Sequence, residues 1–353
     1  MNRTACYIAG RELSYSRTMI VRKALEKAGF DVIGIFPPDK RFRHYFRLLW
    51  QFIRKKRNCD IIIVGFYSQL LMPFIRLLTH KPILCDFYAS TYDIMVLDRQ
   101  KVKPGSFKAW FCWWIDRLAL LCADSVILET RNRILNYSQK FRVPQEKFEH
   151  VFLAADDTQL APQAVLQIKD AFLVHFHGEF APFHGVRTIL KAADLVRDEN
   201  ICFEIIGTGI TYNKDRAYAD CLQLTNVKFI NWVPYDRLAE NLGRAHCCLG
   251  IFGDNTRTTQ ELTNKVVEIL AVARPLITTM NEPVQELVRD GESAILIPSA
   301  NPHALAKAVL TLRDNQGLAR KIAQNGHQQF RKHCALNVFS NRLREIINSM
   351  IHV

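Results

Sequence analysis

Thr263-Asn264-Lys265-Val266-Val267-Glu268-Ile269-Leu270-Ala271-Val272-Ala273-Arg274-Pro275-Leu276-Ile277-Thr278-Thr279 decides how this chain is read. A polar Thr-Asn pair precedes a short apolar run with one inward-facing carboxylate, which stops at Arg274-Pro275 before a β-rich segment. Thr or Asn at a helix start can cap free backbone N–H groups, and proline cannot continue a helix. The stretch predicts a helix N-terminus leaving a sheet, and with Lys265 in its first turn such an end suits an anionic group. Glu268, one turn further in, is placed to accept hydrogen bonds from a diol such as a ribose. Diphosphate together with ribose means a nucleotide.

Working outward, short β-branched runs alternate with helical patterns, which argues for parallel sheets with crossover helices. Strands are expected at 5–9, 31–36, 61–66, 82–87, 125–129 and 149–153, and again at 172–177, 202–206, 227–230, 247–252, 275–278 and 294–297. Each set of six suits one doubly wound domain, and 353 residues fit two such domains. The segment 154–167, rich in Ala, Asp and Gln, is the expected linker. Domains are accordingly expected at 1–165 and 166–335, with a last helix in 336–353 able to pack back onto the first. Two facing doubly wound sheets bind ligands beyond the carboxyl ends of their strands.

Composition describes a soluble globular chain, 49% hydrophobic and 23% charged. No run approaches a bilayer span, and residues 1–10 lack a signal-peptide core, so a cytoplasmic protein is expected. The ten cysteines are scattered without any CxxC, and Cys247-Cys248 are neighbours in one strand, so buried thiols are expected rather than disulfides or zinc ligands. The formal net charge of +13 is uneven. Residues 1–165 carry 26 Lys and Arg against 15 Asp and Glu, whereas 166–353 carry 21 against 19. Any anionic partner of this charge therefore meets the first half.

Residues 40–57 hold eight cations and no acid: Lys40, Arg41, Arg43, Arg47, Arg54, Lys55, Lys56 and Arg57. Phe42, Tyr45, Phe46, Leu49, Phe52 and Ile53 recur at helical spacing as one apolar stripe, with Leu48 and Trp50 off it. The plain reading is a crossover helix with its stripe on the sheet. A basic face with off-stripe aromatics also suits an anionic membrane surface. Nucleic acid is disfavoured, because no RRM, KH or zinc-finger pattern occurs. The apolar segment 107–121, with Trp110, Trp113 and Trp114, reads first as a core helix and second as a wall on the acceptor side.

From residue 172 onward a pattern accumulates. Phe172-Leu173-Val174-His175-Phe176-His177-Gly178 is a strand ending in glycine, and a loop leads through His184-Gly185 into an apolar helix. Phe203-Glu204-Ile205-Ile206-Gly207-Thr208-Gly209, then Asn231-Trp232-Val233-Pro234, then Ile251-Phe252-Gly253 precede the opening motif, and Glu286-Leu287-Val288-Arg289-Asp290-Gly291 follows it. This order and spacing resemble the nucleotide-sugar half of the GT-B glycosyltransferases, group 4, particularly the bacterial polysaccharide and lipid-linked glycan type. The resemblance covers about 172–330 well. It extends more loosely over 1–165, through Gly10-Arg11-Glu12, Gly29-Phe30-Asp31-Val32 and 82–98.

The resemblance implies an α/β fold of two Rossmann-like domains facing a central cleft. It implies that Glu268 holds the donor ribose, that Gly207 and Gly209 line the nucleotide, and that Trp232 and Val233 meet the base through their backbone. The helix at Thr263 and Asn264 would face the diphosphate, near Gly253 and Gly185. Departures are visible. Where the family often shows Glu-x7-Glu, this chain has Gln260 and Glu268, and Glu179 and His184 stand where many members carry Arg and Lys. Lys265, Arg257 and the helix dipole are the substitutes for stabilising a leaving diphosphate. His184 either contributes charge or orders its loop as a neutral ring.

On the acceptor side, the loop Cys85-Asp86-Phe87-Tyr88-Ala89-Ser90-Thr91-Tyr92-Asp93 corresponds to the family's catalytic loop, with Tyr88 where other members carry histidine. Asp86 is the first candidate near the reacting centre and Asp93 the second; the alternative for Asp86 is a loop cap or an arginine pair. Gly10 and Arg11 follow the first strand, where glycine lets backbone approach a sugar. The implied reaction moves a hexosyl unit from a nucleoside-diphosphate sugar to a membrane-linked glycan or polysaccharide, retaining configuration, with no metal and no other cofactor. The protein would be peripheral on the inner membrane face. Two rivals stand beside it: a nucleotide-sugar epimerase on the same fold, and a non-catalytic GT-B-like partner protein.

Overall fold

Twelve strands among the described residues form two six-stranded parallel sheets. The structure, a computed structural model, describes residues 3–39, 41–162 and 171–351, apart from the Asp236 side chain. The chain divides into two compact units, one made of the residues up to Phe152 and from Leu336 on, the other of Leu153–Ala335. The boundary expected at 165/166, the linker from 163 on, and Lys40 lie outside the described residues.

In the first unit the sheet order is β2-β1-β3-β4-β5-β6. The strands are β1 (Thr4–Ile8), β2 (Asp31–Ile35), β3 (Ile61–Val64), β4 (Ile83–Asp86), β5 (Ser125–Leu128) and β6 (Phe148–His150). Ile61-Ile62-Ile63-Val64 is buried throughout, as a central parallel strand covered on both faces must be. Cys6, Ile62, Cys85 and Val126 face a core shared with α2 (Tyr45–Lys55), α3 (Met72–Leu78), α4 (Phe107–Cys122) and α5 (Arg131–Phe141). Helix α1 (Ser16–Lys27) packs against the terminal helix Leu336–Ile351, whose Ser340 donates to Ala24 O at 2.8 Å.

Helix α2 corrects the expected stripe. Phe42 belongs to a separate 3-10 turn, Phe42–His44, which resets the helical phase. Within α2 the face at i, i+3, i+4 and i+7 is Tyr45, Leu48, Leu49 and Phe52; Leu48 and Phe52 are fully buried. Phe46, Trp50 and Ile53 form a second apolar face that is exposed, Phe46 at 82%. With Phe74 and Leu77 of α3 they line a surface groove of about 310 Å³. Helix α4 differs from a core helix as well: it buries Ala109, Cys112, Asp116, Ala119 and Leu120 and turns Phe107, Trp110, Phe111 and Trp114 outward.

In the second unit the order is β12-β11-β10-β7-β8-β9. These are β7 (Phe172–His177), β8 (Ile201–Ile206), β9 (Val227–Ile230), β10 (Cys247–Leu249), β11 (Leu276–Thr279) and β12 (Ile295–Ile297). The expected strand 247–252 shortens because Gly250 to Gly253 leave the sheet as a loop. Phe172, Val174 and Phe176 enter a core with α6 (Val186–Leu195) and α11 (Pro302–Asp314). Alternation turns His175 and His177 to the other face. The remaining helices are α7 (Tyr212–Cys221), α8 (Leu238–Arg244), α9 (Asn264–Ala271), α10 (Glu282–Gln285), α12 (Gln316–His333) and the terminal α13 (Leu336–Ile351). Strand order reverses between β7 and β10, so the crevice beyond their carboxyl ends is where ligands of such sheets bind.

Candidate functional site

The quoted stretch folds as α9 followed by β11, and α9 begins at that reversal point. Thr263 holds the N-cap position in extended backbone, but its side chain accepts nothing from the helix and its Oγ1 is buried without a partner. The capping bond expected of Thr263 or Asn264 is therefore not made, and the first-turn N–H groups stay uncapped by a side chain.

Lys265 is 4% exposed. Its Nζ lies 3.3 Å from Gly250 O and 3.6 Å from the centre of the Phe176 ring, and among the described residues no carboxylate forms an ion pair with it. Burial pushes the ammonium well below its ordinary pKa, with Glu268 opposing. Gly178 makes room for it: a Cβ there would sit 3.2 Å from Lys265 Cε and Nζ and 3.4 Å from His184. Gly207, at φ +141°, would drive a Cβ to 1.9 Å from Gly178 O, so the two loops meet only as glycines. Gly209 and Gly253 lie against Phe180 and the Pro182-Phe183 backbone, and Gly185 opens α6.

Glu268 is 7% exposed and its Oε2 lies 3.1 Å from His177 Nε2. Burial, then the nearby Glu268 carboxylate, pushes the Tyr235 phenol well up. His177 Nδ1 is 3.3 Å from His175 Nε2, and His175 Nδ1 is 3.8 Å from Glu204 Oε1. Burial lowers both rings, His175 to about 4, so both are neutral near pH 7. His184 resolves to the neutral, loop-ordering alternative: burial, then the charge of Lys265, hold it well down, and its Nδ1 meets Glu179 O.

Arg257 pairs with Glu261, Nη2 to Oε1 at 2.9 Å, and stacks 4.0 Å over Phe183. Gln260 is half-buried at the end of a 3-10 turn, Val233 is half-buried, and Trp232 is 72% exposed. Sequence reading missed His175, His177 and Tyr235 as site groups. The available signal was two histidines two residues apart on one face of an otherwise apolar strand.

In the first unit, Asp86 makes the arginine pair left open by the sequence. Arg17 Nη2 reaches Asp86 Oδ1 at 2.7 Å and Nε reaches Oδ2 at 3.0 Å, both residues buried. Tyr88 is half-buried, its ring edge-on to Phe66. Asp93 accepts from Tyr137 at 2.8 Å and pairs with Lys140. Arg11 forks onto Glu12 and lies 4.0 Å over Tyr15. Asp116 of α4 accepts from Ser90 Oγ, Thr91 N and Tyr92 N at 2.7–2.9 Å and so holds the loop after β4.

Residues 171–315 match the family model described as Glycosyl transferases group 1. The capsular polysaccharide biosynthesis glycosyltransferase CapM of Staphylococcus aureus is 19% identical over 280 residues, covering 74% of this chain and 70% of CapM. An uncharacterized glycosyltransferase of Methanocaldococcus jannaschii is 25% identical over 157 residues; the chain spans 42% of that protein, and 44% of the chain is covered. Among solved structures, Anabaena HepE in complex with UDP and glucose superposes with a TM-score of 0.76 at 12% identity, covering 99% of this chain and all of that one. Sucrose-phosphate synthase of Thermosynechococcus elongatus gives 0.80 at 15% identity, with the same coverage. At such identities the likeness concerns the fold. Residues 171–315 thus match a group 1 glycosyltransferase domain, and the two six-stranded parallel sheets share the fold of the GT-B structures above.

Proposed function

We propose that the protein transfers a hexosyl unit from a nucleoside-diphosphate sugar to a membrane-linked glycan, with retention of configuration and no metal. The observation that carries this reading is Lys265, buried with no carboxylate in direct ion-pair contact among the described residues, beside the uncapped start of α9 and one helical turn from Glu268. A diphosphate there brings negative charge to Lys265, and the ribose diol donates to Glu268 Oε1 while His177 stays on Oε2. As the nucleotide leaves, charge grows on the diphosphate beside Lys265, in a site where burial strengthens the interaction. The UDP bound to HepE and the naming of CapM for capsular polysaccharide support the substrate classes.

The membrane part rests on the first unit. Arg47, Arg54, Lys55 and Arg57 are exposed around the apolar face of Phe46, Trp50 and Ile53. Each such cation contributes about 1 kcal/mol at an anionic surface. No helix among the described residues is long and apolar enough to cross a membrane, so the proposed attachment is peripheral, on the inner face.

A thermal-shift screen against nucleoside diphosphates and their sugars tests the donor site, since binding to the folded state raises its stability. UDP is expected to raise the melting temperature, and Glu268→Ala to remove the shift; a full shift in that variant overturns the ribose assignment. A second reading, a non-catalytic nucleotide-binding partner, draws on Arg257 being paired and His184 neutral. Nucleotide binding with no nucleotide released from donor and lipid-linked acceptor would favour it.

A further inference from the structure

The first unit contains a cavity of about 290 Å³ that none of the foregoing uses. It lies beyond the carboxyl ends of β3 and β4, beside the point where strand order reverses between β1 and β3. Ligands of doubly wound sheets bind at such points. Gly10 marks its edge: a Cβ there would come within 2.1 Å of Tyr67 O and 2.9 Å of the Tyr45 hydroxyl. Tyr67 itself is held at φ 62°, a strained position for a non-glycine residue.

The wall is hydrocarbon in character. Ile94, Met95 and Ile115 line it, and three of the polar groups of its lining residues are already engaged. Gln69 Nε2 donates to Ala89 O at 2.7 Å, the Tyr45 hydroxyl donates to Tyr67 O, and Thr91 N is taken by Asp116. A sugar ring entering here would lose water without recovering its hydrogen bonds. The rim carries Phe42, Leu70 and Phe111, which are 62%, 36% and 51% exposed. Phe42 leads into the exposed face of α2 and Phe111 belongs to the outward aromatic face of α4. The cavity thus opens onto the surface proposed to meet the membrane, where hydrocarbon chains are the abundant ligand.

We infer that this cavity holds one hydrocarbon chain of the lipid-linked acceptor, drawn from the bilayer between α2 and α4. The inference rests on the lipid-linked acceptor proposed above and makes the tail, besides the glycan, part of what is recognised. Affinity should rise about fourfold per buried methylene until the cavity is full.

Titration with 11-(dansylamino)undecanoic acid, a fluorescent single-chain probe, tests this without turnover. Saturable one-to-one binding is expected, weakened at least about tenfold, or ~1.4 kcal/mol, by Leu70→Trp at the rim and by Met95→Trp inside. Leu77→Glu, on the outer groove, should leave the probe's affinity unchanged while reducing binding to vesicles of anionic phospholipid. In the unaltered protein, bound probe should protect Cys112, which lines the cavity, from N-ethylmaleimide while exposed Cys221 labels as before. Absence of saturable binding, indifference to both tryptophans, or an unprotected Cys112 overturns the inference. The donor reading fails separately, by absence of the UDP-induced thermal shift.

Discussion

His177 Nε2 lies 3.1 Å from Glu268 Oε2, and this contact fixes the protonation of a chain across the second sheet. A carboxylate only accepts, so His177 carries its proton on Nε2 and offers Nδ1 as an acceptor to His175 Nε2–H. His175 Nδ1, 3.8 Å from Glu204 Oε1, makes no hydrogen bond. His177 thereby holds the Glu268 carboxylate in one orientation as a positioning residue. His177→Ala should weaken UDP binding by about 10- to 100-fold, the effect of one buried charge-assisted hydrogen bond of roughly 1.5–3 kcal/mol. His177→Gln, which keeps a donor, should recover part of it. Calorimetric titration of both variants checks this; equal affinities would leave the histidine with no positioning role.

Lys265 is stability given up for binding. Its folded pKa is pushed below the ordinary 10.5, so between the two values the unfolded chain holds a proton that the folded protein lacks. Stability of the ligand-free protein therefore rises with pH across that window and levels off above 10.5. Lys265→Met should stabilise the ligand-free protein near neutral pH by on the order of 1–3 kcal/mol, flatten that rise, and abolish the UDP shift. In the pH window where ligand-free Lys265 has lost its proton, UDP binding should take one up, read by calorimetry in buffers of different ionisation enthalpy.

The alternation of apolar runs and helices made both sheets legible, because buried parallel strands such as 61–64 and 172–177 leave a continuous hydrophobic mark. The inward turn of Glu268 was legible for a related reason: a carboxylate in an apolar helix beside a polar start has few structural explanations. Arg17–Asp86 and Asp116–Ser90 were not, since they join elements 69 and 26 residues apart and depend on which way a loop folds. The phase of α2 was lost to a single 3-10 turn, which no periodicity sum over 40–57 can register. His177 was hidden because only the pairing of β7 with its neighbours turns it toward α9.

Asp116 is the organiser of the loop after β4. Burial pushes its carboxyl up to about 7, against three hydrogen bonds that favour the ionised form. The folded state thus binds the proton more readily than the unfolded chain between the ordinary 3.8 and about 7. The contribution of this group to stability falls as pH rises through that window and is constant above it. Asp116→Asn should remove this slope. At pH 8 it should cost about 1–3 kcal/mol, because one amide oxygen replaces two carboxylate oxygens among three donors. Thermal unfolding from pH 4 to 8 measures both effects, and a parallel pH profile in the two proteins would refute the assignment.

Arg17 and Asp86 separate a structural from a catalytic role for the first candidate of the acceptor loop. Both are buried, and Arg17 Nη1 has no partner, so removing Asp86 alone leaves a full positive charge in the core. Asp86→Ala should therefore destabilise the protein by about 3–5 kcal/mol. The double replacement Arg17→Met with Asp86→Leu removes both charges and fills the space, and should recover most of that loss. If Asp86 acts only through Arg17, the folded double variant transfers sugar at a rate within a few-fold of the unaltered protein. If Asp86 touches the reacting atoms, the double variant regains its melting temperature while turnover stays at least about 100-fold down, in the range lost with a general acid or base. Melting temperature and nucleotide release, measured on the same two variants, decide between these outcomes.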